Sequence, residues 1–175
     1  TPYGAAKAFS QQMCRIYRAA YGLPTCSVVL YNHESPRRSG NFVTMKIARA
    51  AAKIKRKQQK VLQLGALNGL RDWGWAPDYV KGMVMVLQAK TTEDYILATG
   101  KLHSVEQLVE KAFQCVDLDW RDHVEFDKSL VASAESVATC GNANKAERIL
   151  GWKPTVQFDE MVRRLVEFEM QKLST

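Results

Sequence analysis

The chain has 175 residues, of which 46% are hydrophobic and 25% are charged. This composition is ordinary for a globular domain and excludes a collagen, a disulfide-rich mini-protein and a wholly disordered chain. The 25 Lys and Arg residues outnumber the 18 Asp and Glu residues, and the net charge of +7 favours an anionic partner. A phosphate-rich ligand, a nucleic acid and an acidic surface all fit that charge.

Helix and strand signals alternate along the first part of the chain. A proline in the first turn and a glycine at the end predict a helix from Pro2 to just before Gly22. The β-branched run Cys26–Tyr31 predicts a buried strand, and residues 32–40 are predicted to form a loop. Asn41 is expected to cap a helix that runs to about Arg56.

The same signals continue to the end of the chain. Pro77 begins a predicted helix that places Tyr79, Val80, Met83, Val86 and Leu87 on one face. The other predicted elements are a strand at Val61–Leu64, a loop at Arg71–Ala76, a strand at Tyr95–Ala98, a helix from Ser104 to about Cys115 that begins with a Ser104/Gln107 capping box, and helices at Asn142–Leu150 and Phe158–Leu173.

Strands that alternate with helices predict an α/β fold with a doubly wound, mainly parallel sheet. Such sheets bind ligands beyond the carboxyl ends of their strands, where the loops after Tyr31 and Leu64 would lie. Neither GxGxxG nor GxxGxxG occurs in the chain. If the protein binds a dinucleotide, we therefore expect its first βαβ unit to lie outside this chain.

The cysteines and histidines suggest no metal centre. Cys14, Cys26, Cys115 and Cys140 are widely spaced without a CxxC pair, so we predict reduced, mostly buried thiols in a cytoplasmic protein. The three histidines are too scattered to predict a metal cluster. No stretch approaches the roughly 18 apolar residues of a membrane span, so we expect no membrane partner.

Tyr3 and Lys7 form a Y-x-x-x-K pair on one face of the first predicted helix. An ammonium beside a phenol favours the phenolate, which a tyrosine needs for acid–base chemistry. A chain of this composition contains about 0.5 such pairs by chance, so the pair taken alone favours an exposed surface contact.

Three arginine- or lysine-rich segments have two interpretations each. In Asn32–Arg38 (NHESPRR), the two guanidinium groups could bind phosphate, or the loop could be a solvated surface or a subunit contact. In Arg71–Gly74 (RDWG), the arginine could hold a diphosphate, or the indoles of Trp73 and Trp75 could be core and Arg71 could pair with an aspartate. The basic run at residues 53–60 lacks interleaved aromatic residues, so we favour a solvated helix end over nucleic-acid binding.

Several strings, taken together and in order, resemble the GDP-mannose 4,6-dehydratase family of extended short-chain dehydrogenases/reductases. NHESPRR followed closely by NFVT is the most specific of them, whereas YxxxK and LGWKP are shared widely among sugar-nucleotide enzymes. The matching strings are PYGAAK (Pro2–Lys7), YRAAYGL (Tyr17–Leu23), YNHESPRR (Tyr31–Arg38), NFVT (Asn41–Thr44), RDWG (Arg71–Gly74), DYV (Asp78–Val80), DYILATG (Asp94–Gly100), HSVEQLVEKAF (His103–Phe113) and LGWKPTVQF (Leu150–Phe158).

The resemblance implies an NADP-dependent lyase that converts GDP-mannose to GDP-4-keto-6-deoxymannose. It makes Tyr3 the acid–base at the C4 hydroxyl, with Lys7 tuning it and holding the nicotinamide ribose. By similarity, His33 and Arg38 contact the cofactor. The residues at or beside the sugar-nucleotide positions are Asn32, Thr44, Lys46, Arg71 and Glu135. The resemblance implies no metal, and it implies a homodimer or homotetramer in which the loop with the arginine pair reaches a neighbouring cofactor.

The chain also departs from the family pattern. Met45 stands where relatives have the arginine of VTRK, and Trp75 stands where they have a histidine after RDWG. In the stretch that resembles FRPTEVD, Glu135 is kept but Ala132 replaces the substrate-binding arginine, which predicts weaker binding of the diphosphate or sugar. The Gly-rich loop and the Thr/Ser-Glu segment that supplies the dehydration acid–base would precede Tyr3.

The expected architecture is a Rossmann-like sheet interleaved with a smaller C-terminal substrate lobe. We assign residues 1–31 and roughly 76–100 to the cofactor side, and residues 32–75 and 101–175 to the substrate lobe. Without the first strands such a piece would expose a sheet edge and apolar surface. The alternatives are another nucleotide-sugar dehydratase, epimerase or reductase of the same superfamily, and a truncated copy that binds a nucleotide sugar without turnover.

Overall fold

A computed structural model describes residues 1–130 and 138–174, which form a mixed α/β structure. The helices are α1 (Pro2–Tyr21), α2 (Val43–Lys55), α3 (Ala76–Leu87), α4 (Val105–Gln114), α5 (Asn144–Leu150) and α6 (Phe158–Lys172). The strands are β1 (Val28–Leu30), β2 (Asn32–Glu34), β3 (Leu62–Leu64), β4 (Leu70–Arg71), β5 (Trp73–Trp75), β6 (Tyr95–Leu97), β7 (His103–Ser104) and β8 (Val124–Phe126).

Most strand pairs in the described residues are parallel. β1 pairs with β6, β2 with β5, and β3 with β8, all in parallel, while the short pair β4–β7 is antiparallel. The register places Val28 opposite Tyr95 and Asn32 opposite Trp73. Parallel partners that are far apart in sequence require helical crossovers, so the predicted α/β class is confirmed.

Helix ends follow the local signals with one exception. The Thr1 hydroxyl accepts a hydrogen bond from the Gly4 N–H at 3.1 Å, and Gly22 ends α1 with φ of 64°. α4 has the predicted capping box, but the prediction of Asn41 as a cap is wrong. Phe42 occupies the cap position of α2 without a side-chain hydrogen bond, because the chain enters the helix one residue later than the polar side chain suggested.

Two segments predicted as loops are strands. Residues 32–34 and 73–75 pair with each other as β2 and β5, so both loop predictions are wrong at these positions. Residues 32–34 are polar and carry no strand signal, while the two tryptophans of residues 73–75 are separated by a glycine, which weakens a strand. Pairing between segments 40 residues apart overrides such weak local preference.

The buried apolar residues form two clusters. One is built by α2, α4, α6 and β3 with Trp73, and the half-buried Trp75 packs against it. Of the two interpretations left open for this segment, the packing of both indoles favours the one in which they belong to the core. The second contains Tyr79 and Val86 of α3, Tyr95 and Leu97 of β6, and Trp152. α5 contributes Ala146 to this second cluster, so α5 packs against β6 and α3.

The contacting face of α3 differs from the predicted one. Tyr79 and Val86 are buried as expected, but Val80 is 56% exposed and Leu87 is 81% exposed. Gly82 is the reason, because a Cβ atom there would lie 2.5 Å from Leu97 Cδ1. Because Gly82 has no side chain, α3 approaches β6 closely on the face that contains Gly82. A prediction based on the spacing of apolar residues does not count glycine, so it misses this face.

Several apolar side chains on α1 are exposed to solvent. Phe9, Ile16 and Tyr17 are 66%, 43% and 43% exposed. The four cysteines are free, but the prediction that most are buried is wrong: two are half-buried, and Cys115 and Cys140 are exposed. In the described ranges, none of the helices is long and apolar enough to cross a bilayer.

Candidate functional site

Tyr3 and Lys7 lie one turn apart near the start of α1. Lys7 Nζ is 5.5 Å from the centroid of the Tyr3 ring, and both side chains are exposed. The spacing of four residues places the ammonium over the phenol ring, as the helical periodicity predicted. The pair can therefore place a positive charge beside a hydroxyl that faces solvent.

Asp94 attaches the C-terminal half of α1 to the sheet. Its carboxylate accepts hydrogen bonds from Arg18 at 3.0 Å, from the Ser27 N–H at 3.0 Å and from Arg15 at 3.3 Å. Burial by itself would raise the pKa of Asp94, but the hydrogen bonds from Arg18, Ser27 and Arg15 outweigh it and lower the pKa to about 2. Asp94 is thus ionised at neutral pH and fixes the helix that carries Tyr3 and Lys7.

His33 and Asn32 lie on β2, beside the strand that follows Arg71 and Asp72. His33 Nδ1 lies 2.7 Å from the carbonyl oxygen of Tyr31, which can only accept, so Nδ1 carries the proton. The His33 imidazole stacks on the buried Tyr79 ring at a centroid distance of 5.3 Å. Burial, aided by nearby carboxylates, raises the pKa of Tyr79, so its phenol stays neutral.

Glu34 links two predicted ligand contacts. Its buried carboxylate accepts a hydrogen bond of 2.7 Å from the Thr44 hydroxyl and forms an ion pair of 3.5 Å with Arg38. The Arg38 guanidinium also lies over the Phe42 ring, 3.6 Å from its centroid. The structure therefore brings Arg38 and Thr44 together through a carboxylate that the sequence analysis did not single out.

The remaining predicted contacts lie elsewhere. Lys46 Nζ donates to the Gln63 carbonyl at 2.8 Å, at the strand β3. Arg71 is half-buried on β4, and its Nη1 donates to the Leu70 carbonyl at 2.6 Å. Glu135 and Ala132 lie outside the described residues.

Two buried aspartates, Asp72 and Asp78, bind the backbone of loops that are distant in sequence. The Asp72 carboxylate accepts hydrogen bonds from Thr99, Gly100 and Gly141. The Asp78 carboxylate accepts hydrogen bonds from both the N–H and the hydroxyl of Thr155, and from the Val156 N–H. From the sequence, these aspartates were considered only as ion-pair partners of Arg71. Their actual hydrogen-bond donors lie 27 to 78 residues away in the chain, so no local pattern indicated them.

An aromatic stack forms a further cleft of about 240 Å³ beside β5 and β7. The rings of His103 and Phe158 are nearly parallel, with centroids 3.8 Å apart. Burial lowers the pKa of His103, so the stacked imidazole is neutral at neutral pH. The described ranges contain no group of three His, Cys, Asp or Glu side chains that could hold a metal ion.

The chain is similar to a known family of proteins over most of its length. Residues 1–165 match the family described as GDP-mannose 4,6 dehydratase. The chain belongs to the GDP-mannose 4,6 dehydratase family. GDP-mannose 4,6 dehydratase 1 of Arabidopsis thaliana is 43% identical to it over 171 residues, which cover 98% of this chain and 47% of that protein. The chain thus spans about half the length of the curated relatives it matches.

Solved structures confirm the Rossmann-like fold. RMD from Pseudomonas aeruginosa, complexed with NADPH, superposes with a TM-score of 0.90 at 20% identity and covers 98% of this chain and 57% of its own. The dTDP-glucose 4,6-dehydratase from Bacillus anthracis, in complex with NAD, gives a TM-score of 0.85 at 19% identity, with 99% and 53% coverage. The predicted fold class is therefore confirmed.

Proposed function

We propose that this chain provides the Tyr-Lys pair and the sugar-nucleotide contacts of an NADP-dependent GDP-mannose 4,6-dehydratase, a hydro-lyase. The reaction converts GDP-mannose to GDP-4-keto-6-deoxymannose. The observation that carries the proposal is the position of Lys7 Nζ, 5.5 Å from the Tyr3 ring centroid on one turn of α1, in a chain of this family. The relatives' names supply the substrate and the product class.

Tyr3 is the acid–base of the proposed reaction. Tyr3 is proposed to take the proton of the C4 hydroxyl, with the Lys7 ammonium one turn away on the same face of α1. NADP held by Tyr3 and Lys7 would supply the hydride acceptor and donor that this dehydration requires. The proton that Tyr3 takes up is balanced by the proton that the departing C6 hydroxyl group needs to leave as water, so Tyr3 must release its proton before the next turnover.

Four residues of this chain, Tyr3, Lys7, His33 and Arg38, are proposed to hold a nicotinamide dinucleotide. Lys7 and Tyr3 are exposed and one turn apart, so an ammonium and a hydroxyl can both contact ribose hydroxyls. His33 and Arg38 are the proposed further cofactor contacts. Arg38 also forms an ion pair with Glu34. NADP rather than NAD is proposed because the resemblance of these residues to the family implies it.

Asn32, Thr44, Lys46, Arg71 and Glu135 are the proposed contacts of the nucleotide sugar. Arg71 and Lys46 supply cations for a diphosphate, while Asn32 supplies an amide for a sugar hydroxyl. We also propose the division into a cofactor side (residues 1–31 and roughly 76–100) and a substrate lobe (residues 32–75 and 101–175). We also propose a cytoplasmic homodimer or homotetramer.

The decisive experiment incubates the complete gene product with NADP and GDP-mannose and follows the sugar by proton NMR. A new C6 methyl doublet and the loss of the H4 signal are expected. Parallel reactions with NAD, and with GDP-glucose, UDP-glucose and dTDP-glucose, assign the cofactor and the substrate. Failure to form a 4-keto-6-deoxy sugar from any of them would overturn the proposal.

The replacement of the family arginine by Ala132 favours a second candidate, a copy that binds a nucleotide sugar without turnover. Calorimetric titration with GDP-mannose separates the two functions. Binding without any change in the NMR spectrum of the sugar would support the binding protein. A changed stereocentre at C4 without a new methyl group would indicate an epimerase instead.

A further inference from the structure

Asp72 lies between β4 and β5 and is completely buried. A buried carboxylate is costly unless donors surround it, so its contacts are informative. Oδ1 accepts from the Thr99 N–H at 2.9 Å and from the Thr99 hydroxyl at 2.6 Å. Oδ2 accepts from the N–H groups of Gly100 and Gly141, at 3.0 and 3.1 Å. All four contacts are with donor groups, which a carboxylate needs because its oxygens accept hydrogen bonds.

These donors come from two separate segments at the end of β6. Thr99 and Gly100 follow the strand directly, whereas Gly141 belongs to the segment before α5. A Cβ atom on Gly141 would lie 2.1 Å from Ala98 Cβ and 2.9 Å from the Tyr31 ring. The segment is therefore packed tightly against the ends of β1 and β6, and the Asp72 carboxylate keeps it there.

The backbone around Asp72 carries two of the proposed sugar-nucleotide contacts. Asn32 Nδ2 donates to the Asp72 carbonyl at 3.1 Å, and Asn32 lies opposite Trp73 in the register of β2 and β5. Arg71 immediately precedes Asp72 and lies opposite His103 in the pair β4–β7. A movement of Asp72 would thus displace Asn32 and Arg71 together.

We propose that Asp72 is a positioning residue that fixes Asn32 and Arg71 for the sugar nucleotide by binding Thr99, Gly100 and Gly141 through its carboxylate. This inference rests on the proposed function, because it concerns the binding of the same substrate. Asp72 itself does not touch the substrate. Its effect is exerted through the backbone, and it falls on substrate affinity rather than on the proton transfer at Tyr3.

The test compares Asp72→Asn, Thr99→Val and Thr99→Ser in the complete gene product. The asparagine amide would face a backbone N–H, so the KM for GDP-mannose should rise about tenfold while kcat changes less than about threefold. Thr99→Val removes one donor and should raise KM about threefold. Thr99→Ser keeps the hydroxyl and should restore the original KM.

Asp78→Asn is the matched control. Asp78 is equally buried and its carboxylate accepts three hydrogen bonds, but its partners Thr155 and Val156 lie in a different loop. The Asp78→Asn variant should lower the melting temperature as Asp72→Asn does, but it should leave the KM for GDP-mannose unchanged. Equal KM increases in both aspartate variants, or an unchanged KM in Asp72→Asn and Thr99→Val, would overturn the positioning role.

Calorimetric titration with GDP-mannose gives a second readout that needs no turnover. If the unaltered protein binds the nucleotide sugar but forms no product, the dehydratase proposal fails. Asp72 then remains testable, since Asp72→Asn should still weaken binding about tenfold relative to Asp78→Asn. If the unaltered protein binds no GDP-mannose at all, both proposals are overturned.

Discussion

Lys7 Nζ lies 5.5 Å from the centroid of the Tyr3 ring, four residues away on the same helix. If Tyr3 is the acid–base, Tyr3→Phe should lower kcat of the complete gene product at least about 100-fold, because a positioned proton acceptor typically contributes 10²- to 10⁴-fold. Lys7→Met should lower kcat and also weaken cofactor binding. Product formation measured by NMR checks the first effect, and fluorescence titration with NADPH checks the second.

Tyr21→Phe is the control for this pair. Tyr21 is an exposed tyrosine at the other end of α1, at 69% exposure, so loss of its hydroxyl should leave kcat unchanged. A Tyr3→Phe variant that keeps more than a tenth of the original kcat would remove Tyr3 from the proposed mechanism.

The attachment of α1 through Asp94 predicts a stability effect. Asp94→Asn weakens the hydrogen bonds from Arg18 and Arg15 and should lower the free energy of unfolding by about 1–2 kcal/mol at pH 7. Asp117→Asn should have no comparable effect, since the Asp117 side chain is 93% exposed and Asn tolerates its positive φ of 53°. Urea denaturation followed by circular dichroism measures both.

The same carboxylate predicts a pH dependence. Its pKa falls from the usual 3.8 to about 2 on folding, so the folded state holds the proton less tightly than the unfolded state does. The stabilisation is therefore present above about pH 4 and is lost as the pH falls towards 2. The difference in unfolding free energy between the unaltered protein and Asp94→Asn should be constant from pH 5 to 7 and shrink below pH 4. A difference that grows on acidification would contradict this assignment.

The contact between Thr44 and Glu34 predicts a second stability effect. Thr44→Val removes the hydroxyl that donates to the buried carboxylate, which should lower the free energy of unfolding by about 1–3 kcal/mol. Thr44→Ser keeps the donor and should cost less than half as much. Thermal denaturation of the two variants compares them directly, and equal losses would show that the methyl group matters rather than the hydroxyl.

The close approach at Gly141 predicts intolerance of any side chain. Gly141→Ala would place Cβ within 2.1 Å of Ala98 Cβ, so it should destabilise the protein by about 1–3 kcal/mol. Gly69→Ala is the matched substitution, since its Cβ would meet Val105 at an ordinary 3.8 Å. Its unfolding free energy should stay within about 0.5 kcal/mol of the original. An equally stable Gly141→Ala protein would mean that the segment before α5 can move away from β6.

Several parts of the candidate site could be predicted from the sequence because their physics is local. The Tyr3–Lys7 spacing follows from helical geometry, and the bounds of α1 follow from Pro2 and Gly22. The capping box at Ser104 likewise needs only residues within one turn. The family resemblance also depends on short strings in a fixed order, which require no knowledge of contacts.

The buried carboxylates could not be predicted in this way. Glu34, Asp72 and Asp78 are polar residues that local pattern assigns to a surface, yet each is at most 2% exposed. Their burial depends on donors such as Thr44, Gly141 and Val156, which only the folded chain brings within hydrogen-bond distance.

By itself, the sequence determined which segments form α-helices, where the strands β1, β3 and β6 lie and which family the chain resembles, since these properties depend on neighbouring residues. Only the tertiary structure decided that Asn32–Glu34 is a strand, because its partner β5 is about 40 residues away. It likewise decided which face of α3 is buried, because the close approach to β6 occurs at Gly82, where a side chain is missing. Long-range pairing and packing depend on residues that no local pattern connects.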